Sequence, residues 1–235
     1  MLTVLPILLP MLAAALCVTV WGRSTLQAAM MVLTSVGMVA VAIALLVTVC
    51  TQGVQVSMLG GWTAPFGITF VADRFGSLMV LLASLVGLAV ALFSVGANED
   101  QRARQGHYPL SLSLLAAVCG AFLSGDLFNL YVWFELMLLS SFVLLTLGGE
   151  RAQIEGSIKY VTLNLISSLL FLTTIGLIYA TTGTLNMAHL AVRLDELNDP
   201  RLATALGAPL FVAFGVKAAV FPVFFWQPAS SHPHP

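Results

Sequence analysis

Charge is what this 235-residue sequence has least of: only 8% of its residues are Asp, Glu, Lys or Arg, and nine basic side chains nearly cancel ten acidic ones. An ordinary soluble domain carries roughly 25% charged residues, so a wholly water-facing exterior is excluded. The near-zero net charge also offers no basic surface for a nucleic-acid partner. Cysteine is scarce as well. Cys17, Cys50 and Cys119 lie far apart inside apolar runs. Their spacing suits neither a metal site nor a disulfide framework, and they read as buried thiols. The amino terminus lacks the basic stretch of a secretory signal, because Met1 to Pro10 contains no Lys or Arg. It reads as a retained first span.

What is present is apolar sequence, 59% of the chain, and the bilayer is its natural solvent. A spanning helix needs roughly 20 mostly apolar residues. Seven runs meet or approach that length: 2–20, 26–49, 75–97, 109–124, 127–147, 158–181 and 202–226. The fourth is short and meets the fifth at Gly125-Asp126. One crossing of roughly 40 residues would be too long, so the pattern predicts two helices and a sharp turn. The fold class expected is all-α: a polytopic membrane helix bundle of about seven transmembrane helices.

The connectors are short and polar. Residues 52–73 hold Gly60-Gly61-Trp62 and Pro65-Phe66-Gly67, which read as turns with interfacial aromatics. Arg23, Arg102, Arg104, Arg151 and Lys159 follow the first, third and fifth spans, against Arg74, Arg193 and Arg201 in the alternate connectors. That bias predicts an outside amino terminus. In 183–200, Asn186 can cap a short surface helix with Met187, Leu190, Leu194 and Leu197 on one face. His189, Arg193 and Glu196 fall on the other. His189 reads as a solvated residue of that polar face or as a member of a proton path.

Two ionisable residues fall well inside a span: Glu135 in the fifth and Lys217 in the seventh. A charge at the bilayer centre costs at least about 2.5–3.5 kcal/mol on insertion scales. Two such charges of opposite sign invite coupling, and buried ion pairs stabilise less than apolar packing does. A proton-handling role is the reading this favours over a merely structural pair. An ionised Glu135 would favour the Lys217 ammonium, and a protonated one would not, which links the two protonation states. Gly215 and Pro222 flank the lysine and predict a kink or break beside it, with freed carbonyls able to hold water or a cation.

Uncharged polar residues extend the candidate route. In the sixth span Tyr160, Asn164, Ser167, Ser168 and Thr174 approximate one helical face. They can orient a water chain or tie helices together. Lys159 opens that span and either snorkels to the interface or passes protons inward. Asp126 and Asn129 sit at an end of the fifth span, where a solvated or capping role is expected.

Taken together, these residues resemble the D subunits of Mrp-type multisubunit sodium/proton antiporters, relatives of the antiporter-like membrane subunits of respiratory complex I. The resemblance covers essentially the whole chain. Its strongest stretch is SGDLFNLYVWFELMLLSSFVLLTLGG from Ser124 to Gly149, which puts Glu135 at that family's fifth-helix glutamate. KYVTLNLISSLLFL from Lys159 and TGTLNMAHLA from Thr182 also match. GVKAAVFPVFFW, from Gly215 to Trp226, puts Lys217 at the seventh-helix lysine.

The resemblance implies a proton half-channel served by Glu135 and Lys217, without any cofactor. It also implies protons and Na+ as cargo, a hetero-oligomeric complex as partner, and a bacterial cell membrane as location. It makes 1–97 three amino-terminal helices and 98–235 the first part of an antiporter-like repeat, incomplete at its carboxyl end. After Trp226 that family continues with a leucine-proline turn, a histidine-containing loop and further helices. Here Gln227 to Pro235 follows, with His232 a faint echo of the histidine. A truncated, frameshifted or split product is the expectation.

The competing readings are a proton-pumping membrane subunit of a complex I-like NADH:quinone oxidoreductase and a non-transporting scaffold. An intramembrane enzyme lacks a nucleophile constellation or metal set. The chain also holds no ligand pattern for an iron–sulfur centre.

Overall fold

The computed structural model describes residues 2–62, 64–96, 105–149 and 151–221. Among the described residues the chain runs through α1 (Leu5–Thr19), α2 (Ser24–Gln52), β1 (Gln55–Met58), β2 (Thr69–Ala72) and α3 (Arg74–Gly96). It continues through α4 (His107–Phe122), α5 (Leu127–Thr146), α6 (Arg151–Thr182), α7 (Met187–Leu197) and α8 (Pro200–Lys217). Each apolar run holds a helix among the described residues, but the helix of the seventh run, α8, stops at Lys217, which the 202–226 run had placed well inside a span. Four of them, α2, α3, α5 and α6, are long and apolar enough to cross a membrane, and α1 and α4 are shorter apolar helices. The molecule is a polytopic membrane bundle. Its outward residues fit that solvent: Leu33 and Val47 on α2 and Val86 and Phe93 on α3 are exposed, an arrangement water would penalise and lipid does not.

The sharp turn at Gly125-Asp126 is present between α4 and α5. The Asp126 side chain accepts from the Asn129 N–H at 2.9 Å and so caps α5, although Asp126 is buried rather than solvated. The α4 and α5 backbones can approach because residue 120 is glycine. A Cβ there would run into the indole of Trp133.

The 52–73 connector departs from expectation. It forms an antiparallel hairpin with Gln55 opposite Ala72 and Met58 opposite Thr69, joined through a 3₁₀ turn at Leu59–Gly61. Strands of four residues leave little periodicity to read. They persist because β2 also binds the α4–α5 turn: Val71 donates to the Leu123 carbonyl at 2.8 Å and Gly125 to the Thr69 carbonyl at 2.9 Å.

Two buried clusters, built on Met38, Leu45, Val80 and Leu123 and on Cys17, Met31, Ala91 and Leu112, join α1–α4 and the hairpin. A third, built on Leu127, Phe171, Ile175 and Leu206, joins α5, α6 and α8. Met187, Leu190 and Leu194 of α7 pack against it, which is the predicted apolar face. Leu197 at the helix end stays 45% exposed. Asn186 caps α7 by accepting from the His189 N–H at 3.1 Å. On the outer face Arg193 pairs with Glu196 at 3.0 Å.

Candidate functional site

The site is assembled where α5, α6 and α8 meet. Lys217 is the last residue of α8. Just after it the chain turns back on a Schellman arrangement: Val220 donates to the Gly215 carbonyl at 2.9 Å and Ala219 to the Val216 carbonyl at 3.1 Å. Ala219 stands at φ +54°, a left-handed position that usually belongs to glycine. The helix thus ends beside the lysine, and the Gly215 and Val216 carbonyls are taken up in closing it rather than left free as expected. Pro222, the other half of that expectation, lies outside the described residues, as do Trp226 and His232.

The Lys217 ammonium donates to the Ser168 hydroxyl at 2.9 Å. It also lies 5.3 Å from the centre of the Phe134 ring, within cation–π range. Glu135, next to Phe134 on α5, interacts electrostatically with Lys217. Among the described residues no salt bridge joins the two, and the Glu135 Oε1 is buried without a hydrogen-bond partner. Acid and base are thus held near each other, with the lysine proton bonded to a neutral hydroxyl. A structural ion pair would close that contact.

Of the polar residues expected on α6, Ser168 meets the lysine directly, and the others bond along the helix or to its neighbours. Ser167 donates to the Ala213 carbonyl at 2.7 Å and ties α6 to α8. Asn164 donates to the Tyr160 carbonyl at 2.9 Å, and the Tyr160 hydroxyl meets Ser141 of α5 at 2.7 Å. Thr174 bonds back to the Leu170 carbonyl at 2.7 Å. Two sequence candidates are not brought to this group. Lys159 is exposed and paired with Glu155 at 2.9 Å. His189 bonds Thr184 at 3.2 Å, in a polar cluster where Asn186 also reaches Thr69.

Several site residues escaped the sequence reading. Phe134, whose ring lies under the lysine ammonium, packs ring to ring with Phe171 and Phe214, with centroids 5.1–6.1 Å apart, and in an apolar sequence nothing marks three phenylalanines as neighbours. Ser141 sits six residues beyond Glu135, a spacing that puts it on a different face of α5 and gave no signal. Among the described residues there is no cluster of three or more His, Cys, Asp or Glu side chains suited to a metal ion.

Residues 124–235 match the family described as NADH:quinone oxidoreductase/Mrp antiporter, TM. The chain is 43% identical over 232 residues to the D subunit of the Na(+)/H(+) antiporter of Bacillus subtilis (strain 168), covering 99% of this chain and 47% of that relative. Among solved structures, it superposes with a TM-score of 0.88 and 33% identity on a chain of the Mrp complex from Dietzia sp. DQ12-45-1b. That match covers 97% of this chain and 42% of the other. A chain of the membrane-bound sulfane sulfur reductase, an archaeal respiratory membrane complex, gives a TM-score of 0.90 at 30% identity, covering 97% of this chain and 47% of that one. The chain spans about half the length of the relatives it matches.

Proposed function

We propose that this chain, a homologue of the D subunit of a Na(+)/H(+) antiporter that matches the NADH:quinone oxidoreductase/Mrp antiporter membrane family over residues 124–235, is a transporter subunit that carries protons in exchange for Na+. Glu135 and Lys217 are the coupled proton carriers, and the working unit is a hetero-oligomeric complex in a bacterial cell membrane. Residues 1–97 act as a supporting three-helix unit and 98 onward as the proton-carrying part. One observation carries the reading. A half-buried lysine ammonium is held by a serine hydroxyl and an aromatic face, with a glutamate in electrostatic range but not in contact.

The mechanism follows from that arrangement. An ionised Glu135 stabilises a charged Lys217 through the low-dielectric interior. A proton arriving on Glu135 removes the stabilisation, and Lys217 then passes its own proton on through Ser168. Ser168 can accept from the ammonium and donate onward, as a hydroxyl does both. A higher identity to antiporter relatives than to the archaeal respiratory complex favours cation exchange over a redox-driven pump.

The test is Na+-dependent proton exchange in everted vesicles containing the assembled complex. Glu135→Gln and Lys217→Ala are each expected to abolish the exchange while the complex still assembles. Wild-type exchange in either variant would overturn the assignment.

A further inference from the structure

Between α3 and α5, over one face of α4, lies a groove of about 560 Å³. Leu112 and Leu115 of α4 form its buried base. Leu82, Val86 and Val90 of α3 make one wall, and Leu147 at the end of α5 belongs to the other. The three α3 residues are 42–63% exposed. The groove therefore opens sideways, toward the bilayer.

Its polarity is all at one end. Among the described residues the lining side chains are apolar but for His107 and Ser111, one turn apart at the start of α4. The His107 ring bonds Ser94 of α3 at 3.0 Å and ties the two helices together at that mouth. The far end, at Met79 and Phe122, has no polar side chain. Water does not fill such a space, because apolar cavities stay dry and the bilayer core offers it no partners. An empty groove would forfeit the dispersion contacts of its lining. Hydrocarbon is the filling that incurs neither cost.

Size decides which hydrocarbon fits. Along α3 the lining runs from Met79 to Val90, about 16 Å at a rise of 1.5 Å per residue. That is close to one leaflet of a hydrocarbon core roughly 30 Å thick. Along α4 it runs from His107 to Phe122, about 22 Å by the same rise. Dividing the volume by these lengths leaves a mean cross-section of about 25–35 Å², against roughly 80–110 Å² for a helix with its side chains. A transmembrane helix of another subunit cannot enter. A single file of methylenes can.

We propose that this groove binds one acyl chain of a membrane phospholipid, with the ester end of the chain at His107 and Ser111 and its methyl end toward Phe122. The Ser111 hydroxyl is a donor for the ester or phosphate oxygens at that end. The bound chain fills the space between α3 and α5 and so joins the α1–α4 clusters to the helix that carries Glu135. The site uses neither Glu135 nor Lys217 and stands whether or not the transport reading does.

The test uses the assembled complex in vesicles of phosphatidylethanolamine and phosphatidylglycerol that contain a small share of phospholipid with a diazirine on one acyl chain. After photolysis and peptide mapping, a diazirine beside the ester should label the Ser111 turn, and one at the chain end should label the Phe122 turn. Labelling in the groove should exceed several-fold that of Leu33 on the exposed face of α2, which bulk lipid merely brushes. Val86→Trp, which puts an indole in the groove mouth, should cut groove labelling several-fold and leave labelling at Leu33 unchanged. Leu82→Trp at the same mouth gives the same reading should Val86→Trp fail to assemble. The proposal is overturned if the groove is labelled no more than the Leu33 face, as it would be with another subunit's side chains filling it. It is equally overturned if the two diazirines label the same turn or the reverse ones, or if the tryptophan changes nothing.

Discussion

At the scale of single residues, the chemistry rests on a few uncharged neighbours of one charge. Ser168 is the hydrogen-bond partner of the Lys217 ammonium, and a hydrogen bond to a charged group is worth about 1.5–3 kcal/mol. Ser168→Ala is therefore expected to slow proton exchange by roughly tenfold or more, since about 1.4 kcal/mol is a factor of ten. Ser168→Thr should retain most of it, and vesicle acidification kinetics would read both. Ala219 makes a separate prediction. Its φ of +54° is a conformation that costs a residue with a Cβ roughly 1 kcal/mol. Ala219→Gly should raise the thermal unfolding temperature of the detergent-solubilised protein. No change would mean that the turn after Lys217 is not held in the left-handed form.

At the scale of elements, the caps and close approaches decide how the helices meet. Asn186 does two things at once: its oxygen caps α7 and its amide reaches Thr69 of β2. Asn186→Asp keeps the acceptor and loses the donor, whereas Asn186→Ala loses both. Loss of a cap costs about 0.5–2 kcal/mol. The alanine variant should therefore be the less stable of the two in a thermal-shift assay, with the aspartate between it and the native protein. Gly120→Ala should be worse than either, because its Cβ would meet the Trp133 ring. Overpacking of this kind costs typically about 1–3 kcal/mol.

The helices themselves were legible in the sequence, down to the turn at Gly125-Asp126 and the Asn186 cap, because run length and cap chemistry are local. The β1–β2 hairpin was not. Its second strand is stabilised by Leu123 and Gly125, residues more than fifty positions away, and no window of sequence contains that partnership. The same limit governs the site. Glu135 and Lys217 stood out because charge is costly in oil. Ser141 and Phe171 did not, since a hydroxyl and a phenyl ring are unremarked on any membrane helix. Lys159, which at the start of a span reads either as snorkelling to the interface or as passing protons inward, faces outward toward Glu155.

At the scale of the whole molecule, four long apolar helices and a broadly apolar exterior require a bilayer. The chain should remain with membranes through an alkaline carbonate wash, and recovery in the supernatant would contradict the bundle described here. Apolar composition and the length of the runs were enough to establish the membrane, the helices and the two costly charges, because transfer of a side chain into lipid depends on that side chain alone. Which hydroxyl accepts from the Lys217 ammonium, which ring lies under it and which strand locks the α4–α5 turn depended on the packed fold. Those contacts join residues far apart in the chain, and the distances that make them exist only once the helices have met.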